Sequence, residues 1–552
     1  MTWRRLLVVI AALCTPSIAA AQEKPLPFPP AAVLNRITPG GIRANMNYLA
    51  DDLLEGRGTG TRGYGLAALY VRSRFEELGL KPAGVNGSYF QPVPLRRIAL
   101  VPEASSMAIT RVGKTQKLAL GKDYITDGNP LATYSTAEGP LAFAGYGVSA
   151  PEFDYDDFAA VDVRGKIVVE LWGAPPKFPN APRAYYSDGY IKAKIAAAHG
   201  AIGLIGVWAG PMSERIPFER LVRFFQEPQM RWIDAKGVPN DSVPEIRAFA
   251  VVNEKSGAAL FEGAKKTLRQ ALDDASSSKP QGFSLPAEVS IRLTTRFTAA
   301  ESPNVAAILP GSDAALKNEY VVFSAHLDHL GMGEAIKGDA IYNGALDNAS
   351  GTSAILEIAR AFSEMPTPPR RSILFLAVTA EEAGLLGSDY FAHNPTVPIS
   401  HIAADINMDG VALLYDFRDI VGIGAEHSSL SRELEDVARH MNLEVSPDPM
   451  PEEVFFVRSD QYSFVQQGVP AVFLSEGFKT VDASLNGKSI SLEWESTVYH
   501  TPQDDMKQPL NFEAGAKFAR IDLAIGYEVA QEAERPHWNP GDFFLTKFGK
   551  PK

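Results

Sequence analysis

The sequence predicts an α/β protein, a sandwich of helices about a mostly parallel sheet, with a β-rich region inserted ahead of it. Three observations lead there. Residues 290 to 535 alternate short apolar runs with helical patterns, residues 130 to 285 change texture, and chemically capable side chains follow the apolar runs. Alternation of this kind marks strands buried on both faces by crossover helices.

The elements can be taken in order. Arg4 and Arg5 precede the apolar run Leu6 to Leu13, and Ala19-Ala20-Ala21 follows before Gln22. A charged start, a short apolar middle and a small-residue exit form a secretory signal peptide, residues 1–21. The run falls short of the roughly 20 residues a bilayer-spanning helix needs. Cleavage after Ala21 removes Arg4, Arg5 and the only cysteine, Cys14, and takes the formal charge from −12 to −14. The expected destination is periplasmic or secreted, without a membrane partner once the signal is removed. The mature chain would carry no disulfide and would depend on core packing and bound metal.

A proline-rich linker, Pro25 to Pro30, leads into residues 37 to 82, which read as helices. Apolar residues from Leu66 through Phe75 and Leu78 recur at helical spacing until Gly79 ends the pattern. Asp51 to Gly58 reads as a turn-rich connection. Between 130 and 285, strand-like pieces (Leu141 to Tyr146, Lys166 to Trp172, Ile202 to Trp208) surround an Ala-rich helix, Ile191 to His199. The Ser/Lys/Pro/Gln/Gly run around 275 to 284 reads as a boundary. Beyond it, Tyr320 to Ala325, Ser372 to Val378, Ile402 to Met408 and Ala471 to Leu474 read as buried strands, with a helix at Thr352 to Phe362. The length of 552 residues calls for two or three domains, and 45% hydrophobic with 21% charged residues is ordinary globular composition. A net charge of −12 without a basic face argues against a nucleic-acid partner.

Ligands of open α/β sheets gather at the carboxyl ends of strands. His326 follows the first buried run, and alternation along an extended chain would put Asp328 on the same side, able to fix its tautomer. Asp347 stands in a glycine-bracketed turn before a helix, where an acid can also be a simple cap. Glu381 and Glu382 follow the most hydrophobic run. Adjacent carboxylates repel unless something positive or a proton lies between them, although acids at a helix start also offset the macrodipole. Asp409 closes another strand, and His500 lies in the polar loop Thr497 to Asp505. Singly each has an ordinary explanation. Together they make two imidazoles, a candidate bridging carboxylate and one further acid per metal, which is zinc's preference where cysteine is lacking. Two ions about 3.5–4 Å apart need one shared carboxylate and terminal ligands on each side, which leaves Glu381 as a base.

The order His326-x-Asp328, Asp347-Asn348, Glu381-Glu382, Asp409, His500 resembles the M28 family of co-catalytic zinc peptidases. That family includes bacterial aminopeptidases and glutamate carboxypeptidases. Asn47-Tyr48-Leu49-Ala50 and Glu55-Gly56-Arg57-Gly58-Thr59-Gly60 are similar to its N-terminal helical portion, and residues 130–285 to the protease-associated (PA) domain inserted in many members. The resemblance implies the three-layer zinc exopeptidase fold, with residues 22–129 and 286–552 forming the peptidase domain. It implies two zinc ions per chain, His326 and Asp409 on one, Glu382 and His500 on the other, and Asp347 bridging. Glu381 would be general base, Asp328 would orient His326, and Asp347-Asn348 would be a cis peptide. The sequence departs from the family at Ser459-Asp460-Gln461-Tyr462, where many relatives read Ser-Asp-His. With Phe455-Phe456-Val457 ahead of it, Tyr462 is the substitute candidate for a transition-state tyrosine.

The expected function is an exported exopeptidase acting on peptides, foremost an aminopeptidase. Alternatives within the fold are a glutamate-carboxypeptidase-like enzyme, a glutaminyl-cyclase-like enzyme with one zinc, and a metal-free binding protein. A serine hydrolase finds no support, since no Gly-x-Ser-x-Gly is present. The sequence does not set side-chain preference or oligomeric state.

Overall fold

The computed structural model describes residues 26–225 and 228–549. The expected signal peptide and Cys14 lie outside the described residues. Helices α1 (Pro39–Leu49) and α2 (Arg62–Glu77) lead to strand β1 (Phe90–Leu100). Both helices start on threonine caps, Thr38 and Thr61, whose side chains accept backbone N–H groups.

The inserted region contains β2 (Ser106–Arg111), β3 (Tyr134–Phe143), β4 (Ile167–Leu171), α3 (Asn180–Ser187), β5 (Gly203–Trp208) and β6 (Phe249–Asn253). Strands β3, β4, β5 and β6 pair in parallel. Then comes β7 (Phe283–Leu309), 27 residues long and shared between two sheets. Its first half pairs with β2 and β3; its second half pairs with β1. The insert sheet therefore begins ahead of residue 130, and residue 285 falls inside β7 rather than at a boundary. Strict alternation of buried Leu285, Ala287, Val289, Ile291, Leu293 and Thr295 explains why this stretch stays extended.

After β7 the chain runs β8 (Tyr320–His326), α4 (Ser350–Ser363), β9 (Ser372–Val378), α5 (Leu386–His393), β10 (Ile402–Asn407), β11 (Asp419–Ile423), α6 (Leu430–His440), β12 (Ala471–Glu476), α8 preceded by α7 (Gly487–Thr497 for α7, Phe512–Gln531 for α8) and α9 (Phe543–Phe548). The sheet order is β1-β7-β9-β8-β10-β12-β11. The central pairs β9–β8, β8–β10 and β10–β12 are parallel, and the flanking β7–β9 and β12–β11 pairs are antiparallel.

Adjacent residues of β8 go to opposite faces. Val321 and Phe323 pack with α1, α2, α4 and α8, whereas Val322 packs with Leu374, Leu376 and Phe391 of α5. Helices thus cover both faces, making three layers with the carboxyl ends of β8, β9 and β10 free for chemistry. Among the described residues no helix is long and apolar enough to cross a membrane.

Candidate metal centre

Five predicted ligands meet beyond those three strand ends. His326 is the last residue of β8; its Nε2 lies 3.1 Å from Asp409 Oδ1 and 3.2 Å from Asp347 Oδ1. His500 Nε2 lies 3.1 Å from Asp347 Oδ2 and 3.2 Å from Glu382 Oε2. The two oxygens of Asp347 therefore face two separate imidazole–carboxylate sets. That is the arrangement a shared carboxylate needs.

The backbone holds Asp347 there. Its N–H and that of Leu346 both donate to the Asp504 carboxylate, at 3.0 and 2.8 Å. The Asp347-Asn348 peptide is cis, as the resemblance implies. Gly344, at φ +57°, abuts the His329 ring and the Asp347 carbonyl, so a side chain there would strike both. The Thr352 hydroxyl at the start of α4 donates to the His326 carbonyl at 2.9 Å.

Without a cation the cluster's charges work on one another. Against burial, Asp409, Glu381 and Asp347 hold His326 well above the ordinary imidazole range. Burial again opposes, but Glu382 and Asp347 raise His500 to about 10. Burial and Asp347 push Glu382 up, yet His500 and His329 win and bring it to about 2. Asp347 falls well below the carboxylate range because, despite burial, the imidazoles of His326, His500 and His329 surround it. Glu381 goes the other way: burial first, then Asp409, Glu382 and Asp460, raise it well above its usual value. The neighbouring glutamates thus differ in kind, one stabilised as an anion and the other not.

A divalent metal fits this donor set. Buried His500 Nε2 has no hydrogen-bond partner yet points between two carboxylates. Imidazole and carboxylate together suit zinc, whose charge would offset the repulsion among these carboxylates.

Two expectations are corrected. The Asp328 carboxylate does not orient His326. Its oxygens accept the Glu381 N–H at 3.1 Å and the Thr59 hydroxyl at 3.0 Å, and it is the Asp328 backbone carbonyl that lies 3.1 Å from His326 Nδ1. β8 ends at His326, so strand alternation no longer applies two residues later. Tyr462 is not in the cleft; it is buried against Phe544 and Phe548, with ring centroids at 6.1 and 6.2 Å. The tyrosine that lines the cleft beside Asp347, Glu381 and Asp409 is Tyr499, stacked on His500 at 3.8 Å.

The model of peptidase family M28 matches residues 304–525. This segment belongs to peptidase family M28. It contains His326, Asp347, Glu381, Glu382, Asp409 and His500. A solved aminopeptidase from Aneurinibacillus sp. strain AM-1 superposes with a TM-score of 0.53 over 93% of this chain and 98% of its own, at 18% identity, a likeness of fold. Probable leucine aminopeptidase 2 of Aspergillus oryzae is 28% identical over 222 residues, 38% of this chain and 41% of that protein. Aminopeptidase NAALADL1 of Rattus norvegicus is 25% identical over 307 residues, 48% of this chain and 37% of that protein. The chain thus spans about two fifths of the length of these curated relatives.

Three further residues of the M28 site were not signalled as functional by the sequence. His329 Nδ1 lies 2.6 Å from Glu382 Oε1, the oxygen that His500 leaves free. Asp504 seats the Asp347 turn. Arg57, fully buried, donates to the carbonyls of Leu327 (2.9 Å), Asn343 (2.6 Å), Gly344 (2.9 Å) and Leu49. Each is joined to its partner across a long stretch of sequence, 270 residues for Arg57 and Leu327, so only the resemblance around Glu55 to Gly60 touched on one of them.

Proposed function

We propose that this chain is an exported two-zinc exopeptidase that releases N-terminal residues from peptides. The observation that carries the reading is Asp347, each oxygen facing a different histidine. One zinc would be held by His326, Asp347 and Asp409, the other by Asp347, Glu382 and His500. Bound zinc polarises a carbonyl oxygen and makes water acidic near neutrality, at about pH 7.

The chain's own residues do the rest. Glu381 lines the cleft beside Asp347 and Asp409 and binds no other side chain of the cluster, so it is placed to take a proton from water. Positive charge beside it counteracts the like-charge repulsion that now disfavours its anion. As the water oxygen bonds to the peptide carbon and the C–N bond breaks, Glu381 returns that proton to the departing nitrogen. His329 orients Glu382 through the oxygen opposite His500. Burial and the nearby acids Asp347 and Glu382 keep the Tyr499 phenol protonated, and so a hydrogen-bond donor toward charge developing in the cleft. The insert supports the wall of the cleft, through Arg183 of α3, whose Nη2 lies 3.4 Å from the Pro451 carbonyl.

Two relatives named aminopeptidases favour the N-terminal end, and the pattern of residues 1–21 supports export. A panel of peptides with free or blocked ends, with and without chelator, tests this. Loss of activity on blocking the N-terminus and on chelation is expected; cleavage indifferent to that terminus refutes an aminopeptidase. Glu381→Gln should keep its zinc and lose about 10²–10⁴ in turnover, and near-wild-type turnover would remove the base.

A further inference from the structure

We propose a third divalent-cation site, of zinc type, that clasps α6 to α8 away from the cleft, with Asp436, His440 and Glu528 as ligands. Asp436 and His440 lie one turn apart on α6, and Glu528 reaches them from α8. One ligand atom from each of the three lies within 4.8 Å of the other two. None of them lines the cleft that holds Asp347 and Glu381.

The unpartnered side chain carries the argument. Glu528 is 0% exposed, and among the described residues no N–H or hydroxyl donor reaches either of its carboxylate oxygens. It faces Asp436, another acceptor, whose Oδ1 is engaged by Arg439 Nη1 at 2.6 Å while Oδ2 has no hydrogen bond. Two buried acceptors opposed in this way need a shared proton or a cation between them. The third group, an imidazole, favours the cation. His440 Nδ1 stands 3.0 Å from both the Asp436 backbone carbonyl and Asp436 Oδ2, where a cation would take the place of its proton, and its ring is stacked on Phe28 at 4.3 Å and 12°, which fixes the plane of the imidazole. Imidazole with two carboxylates, and no cysteine, is a zinc-class donor set; calcium would demand six to eight oxygens instead. Such a site would tie the N-terminal segment at Phe28, α6 and the long core helix α8 together.

The test counts metal. Full-length protein, wild type and the variants Glu528→Gln and His440→Ala, is stripped with chelator, dialysed against zinc and analysed for zinc per chain. Both variants should hold one ion fewer than wild type, and zinc should raise the melting temperature of the wild type more than theirs. Because the comparison is a difference, it stands whatever the cleft itself holds. Equal counts in all three proteins would overturn the site and leave a shared proton in its place. An ion lost in E528Q but kept in H440A would equally overturn the imidazole ligand. Should E528Q fail to fold, H440A decides alone, since that side chain is 43% exposed and its removal leaves the core intact.

Discussion

Replacing Arg57 by methionine tests whether this buried cation, rather than the metal ligands alone, builds the site. Its guanidinium serves four carbonyls on three segments: Leu49 at the end of α1, Leu327 after β8, and Asn343-Gly344 before the Asp347 turn. Methionine nearly fills the volume but leaves those carbonyls buried without a donor. Each orphaned acceptor costs about 1–3 kcal/mol. The low end applies, because a carbonyl keeps a second lone pair and because a neutral side chain avoids desolvating a charge. That relief is real, since burial, opposed by Asp504, Asp328, Asp347 and Glu382, brings the guanidinium down to about 10. Four bonds at about 1 kcal/mol give about 4 kcal/mol, inside the 3–5 expected on breaking a buried charge network. For a lobe of this size, with an unfolding entropy of about 0.8 kcal/mol/K, that lowers the melting temperature by roughly 5 °C. Arg57→Lys keeps the charge but not the planar fork, and should recover less than half of the loss. Calorimetry of the three proteins reads both effects. A methionine variant melting within 2 °C or so of wild type would refute the reasoning.

Other predictions concern sites farther out. His329→Ala should weaken zinc binding at the Glu382 side by about 10–100-fold, as loss of an orienting partner does; unchanged affinity by competitive chelation would show that Glu382 holds itself. His393 gains basicity, to about 9, chiefly from its hydrogen bond to Asp389, with burial opposing. Its contribution to stability should be complete below about pH 6.5 and disappear as pH rises through about 9, so the difference in melting temperature between wild type and His393→Ala should shrink across that window. A difference constant from pH 5.5 to 9.5 would contradict the assignment. Phe544→Ala removes a fully buried ring packed on Phe456, His427 and Phe548 and should cost about 3–5 kcal/mol; a loss below about 1 kcal/mol in urea unfolding would show the C-terminal helix to be loosely held.

Much of this site was legible because metal chemistry restricts the choice of side chains and the α/β fold restricts their place. His326 ends β8, Glu381-Glu382 and Asp409 follow β9 and β10 within a few residues, and the sheet brings those three mostly apolar strands side by side. The failures have physical causes. Asp328 was placed by extending a two-residue period past the end of β8, where the chain had already turned away. Tyr462 was offered to the cleft on sequence proximity, but an aromatic cluster with Phe544 and Phe548 draws it inward. Apart from the bond of Arg57 to the Leu49 carbonyl, Arg57, His329 and Asp504 act through contacts 53 to 287 residues apart, which no local pattern encodes. β7 shows the reverse case: its alternation of buried and exposed residues from Leu285 to Thr295 is plain in the chain, yet the preceding Ser/Pro/Gly run outweighed it as a boundary signal.

That same strand makes the inserted region hard to excise. A cassette domain enters and leaves its host through two flexible joints, so deleting it closes a small gap. Here the return joint is a continuous 27-residue strand whose far half lies between β1 and β9 in the peptidase sheet. A truncation at residue 285 would cut through the part of the strand that pairs with β3 and unravel the insert from its rim, and a truncation at residue 295 would expose the end of the β1–β7 pair. The two lobes are spliced rather than hinged, and loss of either should carry the other's folding with it.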